Sequence, residues 1–203
     1  MPEIVAYRWA DYDTPLWASP NRVSGRWHVA GSEPTQYWSA HPLGPWAEYL
    51  RWHGVRDRAG LAGVASRTWA AEFTFADDAI AIVSFETAST WGMDPADLVA
   101  DDHRACQDLG RVLRASYTAL VVPSAALPGT ENLVVFGARV MAPYGTAPVE
   151  VGLDVPTAPA ADHARPPADL LDLVCHRGAA HGGLASWRSG GAPPGAPSLS
   201  YEG

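Results

Sequence analysis

The sequence predicts an α+β fold, in which one domain of short strands with a few helices precedes a Pro/Gly-rich C-terminal tail. Within residues 1–153, short apolar segments alternate with turn residues, a pattern typical of strands, and two longer stretches have helical apolar spacing. The composition then changes, because residues 156–203 hold seven Pro and seven Gly. We therefore divide the 203-residue chain into a main domain over 1–153 and an extension over 154–203.

The domain begins with three predicted strands and a helix. The strands are expected at Ile4–Trp9, Gly25–Val29 and Gln36–Ala40, where β-branched and aromatic residues are frequent. The helix is expected from Pro45 to His53. Proline suits its first turn, since the N–H group that proline lacks would have no helical partner there.

A hairpin and a second helical region follow. Trp69–Phe75 places its aromatic residues on one parity, as a half-buried strand does, and the turn at Asp77–Asp78 leads to a second strand at Ile80–Phe85. The segment Asp94–Ser116 is predicted to be helical. Its apolar stripe comprises Leu98, Cys106, Leu109, Val112 and Leu113.

Three short strands complete the domain, at Ala119–Val122, Leu133–Phe136 and Val149–Leu153. In the extension, a short helix is predicted over 167–177, with proline at its start and Gly178 at its end. Residues 178–203 have no apolar periodicity. We expect them to form a mobile tail that the function of the main domain does not require.

Charge and composition exclude several classes of function. The net charge of −8 disfavours a general electrostatic interaction with nucleic acid or an anionic membrane, although it is compatible with a local basic pocket. All 14 basic residues are arginine, and the absence of lysine excludes Schiff-base chemistry, a pyridoxal-phosphate enzyme and a P-loop. Cys106 and Cys175 have no spacing typical of a disulfide framework, a redox site or a metal site.

Common catalytic and targeting motifs are missing from the sequence. It has no G-x-S-x-G, no G-x-G-x-x-G after a strand and no H-E-x-x-H. His176 and His181 are five residues apart across a glycine, where solvated loop histidines are expected rather than a metal pair. No signal peptide and no run of about 18 apolar residues is visible, so the cytoplasm is the expected compartment.

Six short motifs occur in a fixed order, although each one alone has an ordinary structural interpretation, such as a surface ion pair, a solvated helical glutamate or a turn. The motifs are Gly25-Arg26-Trp27, Tyr37-Trp38-Ser39, Glu48, Gln107-Asp108-Leu109-Gly110, Pro123-Ser124-Ala125 and Asn132. Together they resemble the RES domain, a bacterial family named for its Arg, Glu and Ser. The resemblance extends over roughly residues 5–150.

The resemblance implies a fold like that of ADP-ribosyltransferases and an activity on NAD⁺. Members of the family act as toxins of toxin–antitoxin pairs, and they consume NAD⁺ by phosphorolysis, hydrolysis or ADP-ribosyl transfer. It therefore implies NAD⁺ as the substrate, inorganic phosphate as a co-substrate, no metal or prosthetic group, and an antitoxin partner, commonly of the Xre type. The sequence departs from the family at His28, where asparagine is usual, and at residues 42–46, where an apolar helix start is usual.

The chemistry of NAD⁺ suggests a role for each candidate residue. Arg26, assisted by Arg8, is suited to the diphosphate, because a guanidinium group matches phosphate oxygens. Tyr37 offers a ring that can orient nicotinamide, and Glu48 can stabilise the positive charge that develops on the ribose. Ser124 is a candidate ligand of a phosphate. The predicted catalytic residues are Glu48, Arg26, Tyr37 and Ser124, and the predicted substrate-binding residues are Arg8, Arg26, Trp27, Tyr37, Ser39, Ser124 and Asn132.

Two alternatives stay open from the sequence alone. The first is a catalytically inactive member of the family that binds a nucleotide or a partner protein. The second is an unrelated α+β ligand-binding domain with an accidental match to the motifs. Convergence of Arg26, Tyr37, Glu48 and Ser124 on one cleft would exclude the second alternative, and incubation with NAD⁺ would decide the first.

Overall fold

The strands form where β-branched and aromatic side chains alternate between two environments. The computed structural model describes residues 3–11, 15–18, 21–137, 140–141, 155–192 and 194–198. The strands are β1 (Glu3–Trp9), β2 (Trp17–Ala18), β3 (Thr35–Ser39), β4 (Ser66–Thr74), β5 (Ile80–Ile82), β6 (Ala119–Pro123), β7 (Glu131–Phe136), β8 (Val140–Met141) and β9 (Thr157–Ala164).

Helices connect these strands and confirm the predicted α+β class. The α-helices are α1 (Gly44–His53), α2 (Arg58–Ala62), α3 (Arg104–Leu113) and α4 (Gly182–Arg188). Short 3₁₀ helices lie at Ala88–Trp91, Pro95–Leu98 and Ala168–Asp172. Among the described residues, no helix has both the length and the apolar character that a membrane span requires.

Within the described ranges, seven strands form one mixed sheet in the order β5-β6-β7-β3-β1-β4-β9. β5 and β6 are parallel, and the other neighbouring strands are antiparallel. β3 lies between β7 and β1, with Tyr37 opposite Val134 and Ser39 opposite both Asn132 and Tyr7. Because side chains alternate along a strand, Tyr37, Ser39 and Asn132 share one face of the sheet.

Apolar side chains cover both faces of the sheet. On one face, Trp38, Phe73 and Leu133 belong to one buried cluster. On the other face, Trp27 and Val134 pack with residues of β6 and α3. A third cluster lies around α1 and joins this helix to the loop after β6 and to the C-terminal extension; it includes Trp46, Leu50, Leu127, Leu170 and Val174.

Two of the predicted strand features are wrong. The second strand of the predicted hairpin, β5, pairs in parallel with β6 and not with β4. Parallel neighbours require a crossover, and the segment between β5 and β6, which contains α3, provides it. The segment predicted as a strand at Gly25–Val29 is a tight turn closed by an isolated bridge between Gly25 and His28.

The second helical region is shorter and interrupted. Asp94 accepts a hydrogen bond from the N–H of Ala96 and starts a 3₁₀ helix, whereas Asp102 accepts from the N–H of Arg104 and starts α3. A side-chain cap at Asp94 and a local turn at Asp102 therefore accompany two short helices where the apolar spacing predicted one. Val112, assigned to the apolar stripe, is 65% exposed.

The extension also differs from the sequence prediction. The helix predicted over 167–177 is a 3₁₀ helix at Ala168–Asp172, and the segment predicted as a mobile tail contains α4. His181 accepts the N–H of Leu184 and its Nε2 contacts the Ser124 carbonyl at 3.0 Å, so the start of α4 is fixed to the loop after β6. The strand predicted at Val149–Leu153 lies outside the described residues, and the domain boundary at residue 153 stays a prediction.

Deletion of residues 179–203 is expected to destabilise the protein. The deletion removes Leu184, which packs against the cluster that contains Trp27, together with the hydrogen bonds of His181. These losses correspond to about 2 kcal/mol in the free energy of unfolding, or about 4–8 °C in Tm for a chain of this size. Thermal unfolding followed by circular dichroism measures the change. Deletion of residues 199–203 is the control, and an equal Tm for the two truncated proteins would contradict the packed position of α4.

Candidate active site

A cavity of about 700 Å³ opens on the face of the sheet that carries Tyr37 and Ser39. Its volume lies in the range of small-molecule and cofactor sites. β1, β3 and β7, helix α1 and the turn at Gly25 all contribute to its wall. The charged and imidazole side chains that line it, among the described residues, are Arg8, Asp11, Arg26, Glu48, Arg51, His103 and Arg177. Arginine thus predominates locally in a chain of net charge −8.

The turn that carries Arg26 is held by close contacts with α3. Gln107 donates from Nε2 to the Gly25 carbonyl at 2.9 Å. Gly110 lies against the backbone of Trp27, and a Cβ atom at residue 110 would come within 2.6 Å of the Trp27 carbonyl oxygen. Arg26 itself donates from Nη1 to the Ala100 carbonyl at 2.7 Å. The Gln-x-x-Gly motif therefore positions the Arg26 turn and does not itself line the cavity.

Tyr37 is fixed by hydrogen bonds that determine its chemistry. Its hydroxyl accepts the N–H of Trp27 at 2.9 Å and lies 2.8 Å from Nδ1 of His28. Nε2 of His28 lies 2.9 Å from the Val23 carbonyl, which can only accept, so Nε2 carries the proton and the Tyr37 hydroxyl donates to Nδ1. Burial is the main cause that lowers the pKa of His28 and raises that of Tyr37. The hydroxyl thus already has two hydrogen-bond partners within the protein, and Tyr37 contributes its ring to the cavity wall.

Glu48 is held by a chain of side-chain hydrogen bonds. Oγ of Ser39 donates to Oδ1 of Asn132 at 3.0 Å, and Nδ2 of Asn132 donates to Oε1 of Glu48 at 2.8 Å. Oγ of Ser124 also contacts Oε1, at 3.4 Å. Within the part of the chain that the structure describes, Oε2 of Glu48 accepts no hydrogen bond, so one carboxylate oxygen is held and the other is available.

The structure brings most of the predicted site residues together. The cavity wall includes Arg8, Arg26, Tyr37, Ser39, Glu48 and Asn132. Trp27 also borders it; its indole is only 1% exposed and belongs to the buried cluster, and its role in substrate binding stays a prediction. Ser124 is fully buried and does not line the cavity. Its hydroxyl lies behind Glu48, where it accepts the N–H of Leu127.

Several further lining residues were not predicted, and four of them bear on the chemistry of the cavity. Arg51 and Trp52 follow Glu48 at helical positions i+3 and i+4, a spacing that would have placed all three on one face of α1. His103 and Arg177 carry no such signal, since tertiary packing alone brings them to the cavity. Burial is the main cause that lowers the pKa of His103 to about 4, followed by the positive charges of Arg26, Arg177 and Arg51, so its imidazole is neutral near pH 7. No group of three or more metal-ligating side chains occurs among the residues described.

Comparison with known proteins identifies the family. The RES domain matches residues 3–152, which is more than half of the chain. The chain belongs to the RES domain family. This membership excludes the alternative of an unrelated α+β domain with accidental motifs.

Relatives of the chain share part of its sequence or its fold. A Mycobacterium tuberculosis protein named "Probable NAD(+) phosphorylase" is 34% identical over 119 residues, which is 59% of this chain and 56% of that protein. The chain thus covers little more than half of that relative. A chain of the crystal structure of the M. tuberculosis MbcT–MbcA toxin–antitoxin complex has a TM-score of 0.59 at 18% identity, and the match covers 85% of this chain and 89% of that chain. At this identity the likeness concerns the fold.

Gly110→Ala is expected to destabilise the protein, although alanine is ordinarily about 1 kcal/mol better than glycine inside a helix. The added Cβ would overlap the Trp27 carbonyl, so we expect a loss of about 1–3 kcal/mol in the free energy of unfolding, measured by urea denaturation. Gly63→Ala is the control, because its Cβ would lie 3.6 Å from its nearest neighbour at an ordinary φ of −84°. A stabilised Gly110→Ala protein would show that α3 and the Arg26 turn are not in close contact.

Stability is expected to decrease as the pH falls below about 6.5. The pKa of several histidines is lowered from 6.5 in the folded protein, mainly by burial: His28, His41, His103, His176 and His181. The unfolded chain therefore binds more protons below pH 6.5, and the free energy of unfolding falls with pH. Urea unfolding between pH 7.5 and 5 measures the slope. His181→Asn keeps a side chain that can cap α4 but does not titrate, so we expect a shallower slope; an unchanged slope would contradict the contribution of His181.

Proposed function

We propose that the protein is an NAD⁺-consuming enzyme that cleaves the bond between nicotinamide and ribose. The observation that carries this proposal is the convergence of Arg26, Tyr37 and Glu48 on one cavity in a member of the RES domain family. The identity of 34% to a protein named as a probable NAD(+) phosphorylase supports the same substrate. The catalytically inactive alternative has no comparable support, because a protein that only binds a partner does not need this carboxylate.

Glu48 is the residue that acts on the reacting bond. Cleavage leaves positive charge on the ribose, as in other glycosidic cleavages, and a fixed carboxylate stabilises this charge in the transition state. Asn132 and Ser124 hold Oε1, so Oε2 can approach the ribose or one of its hydroxyl groups without moving the helix. In this proposal Ser124, Ser39 and Asn132 are positioning residues that act through Glu48.

Arg26 and Arg8 bind the diphosphate. Arg26 is fixed through Nη1 to the Ala100 carbonyl, and Arg8 through Nη1 to the Pro15 carbonyl at 2.8 Å. Each guanidinium is thus pre-oriented, and the planar group matches the oxygens of a phosphate. Tyr37 contributes its ring face to nicotinamide. Its hydroxyl takes no part in proton transfer, since His28 and Trp27 already use it.

Inorganic phosphate is the proposed acceptor. A phosphate oxygen forms a bond to C1 of the ribose, while the bond to nicotinamide breaks and nicotinamide leaves as the neutral base with the electron pair. The products are nicotinamide and ADP-ribose 1-phosphate. The name of the 34% identical relative favours phosphate over water or a protein side chain.

The proposed biological role is that of a toxin controlled by an antitoxin. The structural match to a chain of a toxin–antitoxin complex supports this role. The arginine-lined cavity is open to the surface, and an antitoxin of the Xre type that covers it would protect the cytoplasmic NAD⁺ pool of the host. Expression with and without the protein encoded by the neighbouring gene tests this part of the proposal.

Glu48→Gln is expected to keep the fold and to lower kcat by about 10²–10³. The glutamine can still accept the hydrogen bond from Asn132 through Oε1, but it lacks the charge that stabilises the ribose. Nicotinamide release from NAD⁺ is measured by liquid chromatography, with and without phosphate. The appearance of ADP-ribose 1-phosphate identifies phosphorolysis, whereas ADP-ribose alone identifies hydrolysis.

Glu131→Gln is the matched control, because Glu131 is exposed at the start of β7, next to Asn132 but outside the cavity wall. It is expected to retain the parental rate. A Glu48→Gln protein that releases nicotinamide at nearly the parental rate would contradict the role of Glu48. A parent protein that binds NAD⁺ without releasing nicotinamide would support the inactive alternative instead.

A further inference from the structure

The segment 174–178 of the C-terminal extension is fastened to the domain beside the cavity. The N–H of Cys175 donates to the Ala126 carbonyl at 2.8 Å, and Nη1 of Arg51 donates to the Cys175 carbonyl. Asp101 bridges the same region, since Oδ1 pairs with Nη2 of Arg51 at 2.6 Å and Oδ2 accepts the N–H of Gly178 at 2.7 Å. The backbone on both sides of residue 177 is therefore held in place.

Arg177 extends from this held backbone to the cavity wall. Its guanidinium carbon lies 5.2 Å from the centroid of the Trp52 ring, and this cation–π contact orients the group. Its carbonyl accepts a hydrogen bond from Nη2 of Arg56 at 3.2 Å, which further restrains the main chain. The side chain is thus directed by the fold, although it is exposed at the rim.

The guanidinium of Arg177 differs from the other arginines of the cavity in its partners. Arg8, Arg26 and Arg51 each donate to a main-chain carbonyl. Among the described residues, the guanidinium of Arg177 forms no hydrogen bond and no ion pair. Within the described ranges, neither Asp11 nor Glu48, the carboxylates of the cavity wall, forms an ion pair with Arg177; Asp11 instead accepts from the Ser66 hydroxyl and the main-chain N–H of Arg67. An oriented cation with unused donors at a cavity mouth is suited to an anion.

We propose that Arg177, which lies outside the RES-domain match at residues 3–152, is a binding residue of the cavity for a phosphate group. The choice of phosphate rests on the proposed function, since the substrate carries a diphosphate and the acceptor is inorganic phosphate. The C-terminal extension thereby completes the substrate site that the RES domain begins. Arg177, Arg26 and His103 all line the cavity, and the positive charges of both arginines help to lower the pKa of His103.

Binding to Arg177→Gln tests this proposal independently of catalysis. Isothermal titration calorimetry with ADP-ribose reports on the diphosphate, and titration with inorganic phosphate reports on the free anion. Loss of a charged hydrogen bond weakens binding by about tenfold or more, so we expect that change for at least one of the two ligands. Arg177→Lys is expected to recover only part of the affinity, because an ammonium group cannot form the planar bidentate contact.

Arg111→Gln is the control, because Arg111 is an exposed arginine of α3 that pairs with Asp108 outside the cavity. It is expected to bind both ligands as the parent does, and Tm measurements confirm that all variants are folded. Weaker binding of ADP-ribose alone assigns Arg177 to the diphosphate, weaker binding of phosphate alone assigns it to the acceptor, and weaker binding of both assigns it to a shared position.

Unchanged affinity of Arg177→Gln for both ligands would overturn the proposal, and so would a parent protein that binds neither. Weaker binding accompanied by a large drop in Tm, without partial recovery in Arg177→Lys, would also overturn it, since it would indicate a structural role. Nicotinamide release by the parent is measured separately. A parent that binds ADP-ribose through Arg177 but releases no nicotinamide would contradict the enzymatic function while leaving this assignment intact.

Discussion

The site depends on one cross-strand pair, in which Ser39 of β3 lies opposite Asn132 of β7. The serine hydroxyl donates to the amide oxygen and so fixes which end of the amide meets Glu48. A slip of one residue by either strand would turn its side chain to the opposite face of the sheet and separate the pair. The position of the Glu48 carboxylate is therefore determined by the register of the sheet as much as by helix α1, which carries it.

The arginine turn is held in a different way, through its backbone. Gln107 and Gly110 on α3 contact the Gly25 and Trp27 carbonyls, while Tyr37 binds the N–H of Trp27. These motif residues act by restraining main-chain atoms, whereas Arg26 carries a charged group that lines the cavity. His28 supports the arrangement as a neutral ring between Tyr37 and a carbonyl, so the departure from asparagine at this position is accommodated with a defined hydrogen-bonding role.

The C-terminal extension lies outside the RES-domain match and adds further contacts around the cavity. Arg51 and Asp101 form a partly buried ion pair. Nη1 of Arg51 also binds the Cys175 carbonyl, and Oδ2 of Asp101 accepts the N–H of Gly178. The pair therefore joins α1 and the segment before α3 to the part of the extension that carries Arg177. Breaking such a pair would leave a charge with only 8% exposure at Arg51 without compensation. The concentration of arginines in one cavity shows how a chain with net charge −8 can still have a locally basic cavity.

The sequence by itself determined the α+β class, most strands and the first helix, because these depend on local periodicity, and the order of the short motifs identified Arg26, Tyr37 and Glu48. Only the tertiary structure decided which strands pair, so the parallel partner of β5 and the burial of Ser124 were not visible locally. The docking of the extension and the arrival of Arg177 at the cavity depend on contacts between residues more than 50 positions apart. Such contacts leave no periodic pattern in the sequence, because they arise only when distant segments pack together and form hydrogen bonds in the folded chain.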